Sequence, residues 1–157
     1  MSSRKRSASE LRVCNWIEDG EIEHVSKWKQ HTKRSLDDIR TSCGSNLIVV
    51  APHPLVAEWL EEEGVDIEDR QGDLLCNSYQ CVAEWLTKKS ISIVPALKKM
   101  DQLEQAPLSP TTRRGLGQRK QDILLWKDET NQRILSIIVN DTPIIKDIAK
   151  MIVQYLR

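Results

Sequence analysis

Asn46-Leu47-Ile48-Val49-Val50-Ala51 is an unbroken apolar run rich in β-branched residues. A short run of this kind, bounded by turn residues, reads as a strand buried on both faces. Pro52-His53-Pro54 ends it, and proline is tolerated in the first turn of the helix that follows. That helix runs through Leu55-Val56-Ala57-Glu58-Trp59-Leu60-Glu61-Glu62-Glu63, and Gly64 closes it. The unit then recurs. Asp73-Leu74-Leu75-Cys76-Asn77 reads as a short strand, with Ser78 as the N-cap of a helix over Tyr79 to Lys89. Val-Ala-Glu-Trp-Leu stands at 56–60 and again at 82–86, a period of 26 residues. In each copy Val, Trp and Leu fall at i, i+3 and i+4, forming one apolar stripe. Two strand–helix units of this kind predict a parallel sheet with right-handed crossovers.

Outward from that centre, residues 9–42 carry helical spacing: Leu11, Cys14 and Ile17, then Ile22, Val25 and Trp28. Asp19-Gly20 breaks the pattern, and Cys43-Gly44 offers a stop. Residues 105–120 are rich in Pro, Gly, Ser and Thr and read as a linker. Asp122-Ile123-Leu124-Leu125-Trp126 and residues 133–139 read as the two strands of a hairpin turning over Lys127 to Gln132. Asn140-Asp141-Thr142-Pro143 then reads as the start of a C-terminal helix with a wide apolar stripe through Ile144, Ile145, Ile148, Met151, Ile152, Tyr155 and Leu156.

The expected fold is therefore α/β: a small central sheet with two repeated strand–helix units, N-terminal helices, and a C-terminal β-hairpin plus helix. The expected divisions are a disordered basic tail at 1–8 and an α/β core at 9–104. A flexible linker at 105–120 and a hairpin-and-helix unit at 121–157 complete the chain, the last packed on the core or forming an oligomer face.

Composition narrows the function classes. Of 157 residues, 39% are hydrophobic, enough for a core, and the formal net charge is zero. Neutrality argues against a general nucleic-acid coat protein, because each phosphate contact needs its own cation. Two local basic clusters remain as a secondary nucleic-acid option: Arg4, Lys5 and Arg6, and Arg113, Arg114, Arg119 and Lys120. No apolar leader and no membrane-length run is seen. A nuclear or cytoplasmic location is expected, with the basic tail favouring the nucleus, and the four cysteines are expected to be reduced. Ser7, after the basic run, and Ser109, before Pro110, are candidate phosphorylation sites.

No catalytic pattern emerges. Gly-x-Gly-x-x-Gly, a P-loop and a nucleophile elbow are all missing from the sequence. Cys76 and Cys81, and His24, His31 and His53, lack zinc spacing. No metal and no cofactor is expected, and no enzyme. His53 is the one candidate ligand residue, because it follows an expected strand end beside a helix N-terminus. A small-ligand or catalytic α/β domain at that point is a further alternative.

The middle of the chain resembles the second half of a BRCT domain. Asn46–Ala51, Pro54–Gly64, Asp73–Asn77 and Ser78–Lys89 match its strand, helix, strand and helix, with Trp85 as the family's tryptophan. The resemblance covers under a third of the chain and implies binding to protein partners in genome maintenance. The leading expectation is a non-enzymatic adaptor or regulatory subunit that binds a protein partner or pairs as a homodimer. Trp59, Trp85 and Tyr155 are the candidate contacts, since large aromatics dominate interface energetics.

Overall fold

Where a sheet was expected, the chain builds helices. The computed structural model describes residues 7–89, 91–141 and 146–156. Among them there is no strand. The α-helices are α1 (Ala8–Glu18), α2 (Ile22–Thr32), α3 (Pro54–Glu62), α4 (Asp73–Asn77), α5 (Gln80–Lys88), α6 (Val94–Glu104), α7 (Pro110–Asp141) and α8 (Lys146–Tyr155). Short 3-10 turns lie at Leu36–Asp38 and Leu47–Val50. The α/β expectation is thereby overturned at each of its strands.

The decisive apolar run, 46–51, is a 3-10 turn. The Asn46 side chain accepts from the Ile48 N–H at 3.1 Å, and the Ala51 N–H returns to the Ile48 carbonyl at 3.2 Å. Leu47, Ile48 and Val49 are buried, and the turn packs against α1, α3 and α4. The run was correctly read as core. Its hydrophobicity measures burial, though, and a buried turn satisfies that as well as a strand does.

The second expected strand is α4. Gly72 takes a left-handed φ of 77°, which turns the chain into this helix. The Asp69 carboxylate then accepts the N–H groups of Leu74 and Leu75, both at 2.9 Å. These are N–H groups that a helix start leaves without backbone partners. Ser78, expected as the N-cap of the next helix, is instead the C-cap of α4, and Tyr79 is the N-cap of α5.

The expected hairpin, its turn and residues 110–120 of the expected linker all belong to α7. Ser109 Oγ accepts from the Thr112 N–H at 3.2 Å, and Pro110 stands in the first turn. The supposed hairpin turn, Lys-Asp-Glu-Thr-Asn-Gln, holds neither Gly nor Pro, so nothing in it breaks a helix. With 32 residues, α7 spans about 48 Å. Asn140 and Asp141 end it rather than start the next helix. Thr142 and Pro143, with Ile144 and Ile145 of the expected stripe, lie outside the described residues, as do residues 1–6 of the expected 1–8 tail.

Helices α1 and α2 and the two Val-Ala-Glu-Trp-Leu helices lie within the stretches expected to be helical, but residues 33–42, also expected there, hold only the 3-10 turn Leu36–Asp38. Gly64 closes α3 with φ 94°, its N–H returning to Glu61 and the Val65 N–H to Leu60. Trp16 of α1 stacks on His24 of α2 at 5.5 Å between ring centroids. A single core gathers residues from α1 to α7, with Ile17, Leu47, Leu60, Leu75, Leu86 and Ile123 fully enclosed. Helix α5 packs on α7, α6 on α4 and α7, and α8 on α7.

Candidate functional site

The two repeat tryptophans are core-facing. Trp59 and Trp85 are half-buried and packed against the core, and Lys89 Nζ sits 4.8 Å from the Trp85 ring centroid. Tyr155 is the exception among the three candidate contacts, at 88% exposure. It belongs to α8, whose Ile148, Met151, Ile152 and Tyr155 fall at i, i+3, i+4 and i+7 and are all exposed. Leu156 adds to the same region. Only Val153 of this helix's described side chains is buried. Helix α8 is therefore seated on α7 by one edge of its apolar surface, and the rest faces outward. Ile137 of α7 is exposed as well.

The basic loop residues divide. Arg113 and Arg114 are exposed on α7. Arg119 is turned inward, donating to the carbonyls of Leu75 at 3.0 Å and Ser78 at 2.9 Å, where it caps the end of α4. Burial lowers its pKa. Lys120 pairs with Asp101 and, at 3.8 Å, with Glu104 of α6. Two of the four cations in the expected nucleic-acid patch thus serve the fold. Ser7 caps α1, its N–H donating to Glu10 and its Oγ accepting from the Glu10 N–H. Ser109 is exposed at the start of α7. His53 is the N-cap of α3, its Nδ1 accepting from the Leu55 N–H at 3.2 Å. With no sheet, His53 has no strand end beside it.

One cleft, of about 690 Å³, has Ile67, Ile91 and Pro95 among its lining. Two ion pairs stand on its rim, Lys89–Glu61 at 2.8 Å and Arg70–Glu68 at 2.9 Å. Asp69 also lines it; burial raises its pKa, against the lowering effect of the two N–H groups it caps. Its acceptors are committed to α4, so the cleft holds no unpaired reactive carboxylate. A smaller groove between α6 and α7, about 240 Å³, was not foreseen from the sequence. Its walls are Ile93, Val94, Leu97 and Leu124, and Lys127 and Asn131 reach it from α7. Their i, i+4 spacing puts them on one face only because 122–139 is helix rather than hairpin.

Among the described residues no group of three His, Cys, Asp or Glu side chains could hold a metal ion, and no helix is long and apolar enough to cross a membrane. All four cysteines are unbridged. No protein-family model, curated protein or solved structure matches the chain.

Proposed function

We propose that this chain is a non-enzymatic interaction module whose docking element is the α7–α8 arm, and that the α8 face pairs with a second copy of itself. The observation that carries the reading is the outward stripe of Ile148, Met151, Ile152 and Tyr155. With Leu156 it leaves a contiguous, largely apolar surface bare, the kind of patch that marks an interaction site. A helical hairpin with one bare apolar side completes itself by two-fold pairing into a four-helix bundle. Zero net charge removes the long-range repulsion that opposes self-pairing. As a paired module the protein acts as an adaptor or regulatory subunit, holding two equivalent cores in fixed relation.

The test is co-expression of tagged and untagged copies. The untagged chain is expected to co-purify in equal amount, and Met151→Asp, at an exposed site, is expected to abolish that. Recovery of the tagged chain alone, or undiminished pairing in the variant, contradicts the proposal.

A further inference from the structure

A cavity of about 320 Å³ opens between the C-terminal end of α6 and the first turns of α7. Leu103, Leu108 and Leu116 give it apolar walls, and Cys76 of α4 and Arg119 of α7 also line it. Arg119 is only partly committed to the fold. Its Nη1 donates to the Leu75 and Ser78 carbonyls at 3.0 and 2.9 Å, which uses both Nη1 protons and fixes the plane of the guanidinium. Nε and Nη2 keep their protons free, and among the described residues no carboxylate forms an ion pair with them. Among the described residues, the side-chain nitrogens and oxygens that are both fully buried and unpartnered are Ser78 Oγ and Asn131 Nδ2. The Nε–Nη2 edge of Arg119 is not one of these, so it is open to solvent. Among the described residues no acid lines the cavity. Asp122, whose charge Arg119 feels, stands outside the lining and accepts from Gln118 Nε2 at 2.9 Å. The Cys76 thiol, pushed up to about 11, is neutral at ordinary pH.

We propose that this cavity binds a monocarboxylate with an apolar body, its two oxygens accepting side by side from Nε and Nη2 of Arg119 and its hydrocarbon lying against Leu103, Leu108 and Leu116. A guanidinium edge of two parallel N–H groups matches a carboxylate bidentately. Because Nη1 is already anchored, the fork is held before the ligand arrives, and little side-chain freedom is lost on binding. One cation with no acid in the lining matches a single negative charge. The volume falls at the lower end of the roughly 300–1,000 Å³ of small-molecule pockets, so the ligand is small. Gly115 stands on the same wall, inside α7, where glycine costs stability relative to alanine. A Cβ there meets nothing within 4 Å, so the space a side chain would take is left to the cavity. A free fatty acid and a peptide ending in an apolar residue with its terminal carboxylate offer the same chemistry. This inference stands on the cavity alone and is independent of the α8 face.

The experiment is titration of the full chain, followed by amide chemical shifts, with octanoate, with octanol, and with acetyl-leucyl-leucine bearing a free or an amidated terminus. Octanoate or the free peptide is expected to bind saturably at millimolar concentration or below, shifting amides within 103–119. Octanol and the amidated peptide are expected to bind at least about tenfold more weakly. The tighter of the two acids identifies the natural source. Gly115→Leu, which fills the cavity and leaves Arg119 in place, is expected to abolish binding with the helical signal retained. Arg119→Met is expected to weaken octanoate and leave octanol unchanged. Absence of binding by both acids overturns the proposal, as does undiminished binding by Gly115→Leu. So does octanol binding as tightly as octanoate, a comparison that needs no variant.

Discussion

Lys127 and Asn131 stand one turn apart on α7, both buried: Lys127 Nζ donates to the Ile91 carbonyl, and Asn131 Nδ2 has no partner among the described residues. Polar groups in such a position ordinarily find partners. Replacing Asn131 with leucine, similar in size, removes the orphaned donor. Asn131→Leu is expected to raise stability by about 1–2 kcal/mol. Urea unfolding followed by circular dichroism measures it, and a destabilised variant contradicts the assignment.

Burial lowers the Lys127 pKa below the ordinary lysine value of 10.5. The folded state then holds its proton less tightly than the unfolded state does. Stability therefore increases as pH rises from the depressed folded value toward 10.5, and below the folded value the burial penalty is complete and no longer varies with pH. Lys127→Met is expected to lose this component. Unfolding curves between neutral pH and about pH 10 are expected to show a smaller gain, or a larger loss, in the wild type minus variant difference at low pH than at high pH. A pH-independent difference contradicts the prediction.

At the junction of α4 and α6, a Cβ on Gly72 lies 2.6 Å from the Pro95 carbonyl oxygen and 2.7 Å from the Ala96 Cα. Both are backbone atoms, so no side chain can move aside. The φ of 77° adds its own penalty for any other residue. Gly72→Ala is expected to cost more than about 3 kcal/mol, the range reserved for disrupted cores and strained backbone. Gly20→Ala meets nothing within 4 Å, so it carries only the conformational penalty and serves as the comparison. Equal losses at the two sites contradict the packing described here.

The cysteines are expected to differ in reactivity. Burial acts to raise the Cys43 pKa, but hydrogen bonds from Ser45, Thr41 and the local backbone outweigh it and lower the thiol below its usual value. Burial, aided by Asp69, pushes Cys76 up to about 11. Since the thiolate is the nucleophile, Cys43 is expected to alkylate at least tenfold faster than Cys76 near neutral pH. Peptide mass spectrometry after a short iodoacetamide pulse reads the order. Faster labelling of Cys76 contradicts the placement of both residues.

The sequence revealed burial and boundaries more readily than secondary structure. Gly20 and Gly64 marked helix ends because a positive φ has a local cause visible in a single residue. Val56, Trp59 and Leu60 showed their helix through spacing alone. The failures share one origin. Leu47–Val49, Leu74–Leu75 and Ile123–Leu125 are short apolar runs, and such runs do not separate strand from helix or turn. What decides them lies elsewhere: the Asn46 side chain, the Asp69 carboxylate, and the lack of any breaker between Lys127 and Gln132. The apolar stripe of α8 was legible in the spacing, but that most of it faces outward rather than into the core was not. The inward turn of Arg119 was not, since its acceptors, Leu75 and Ser78, lie more than forty residues away.

Self-pairing through α8 is tested most directly by sedimentation equilibrium of the untagged chain over a range of concentrations, beside Met151→Asp. The wild type is expected to approach twice its 18.0 kDa chain mass as concentration rises, while the variant stays at the single mass with unchanged helical signal. A wild-type chain that remains at 18.0 kDa throughout, or a variant that still doubles, contradicts the account.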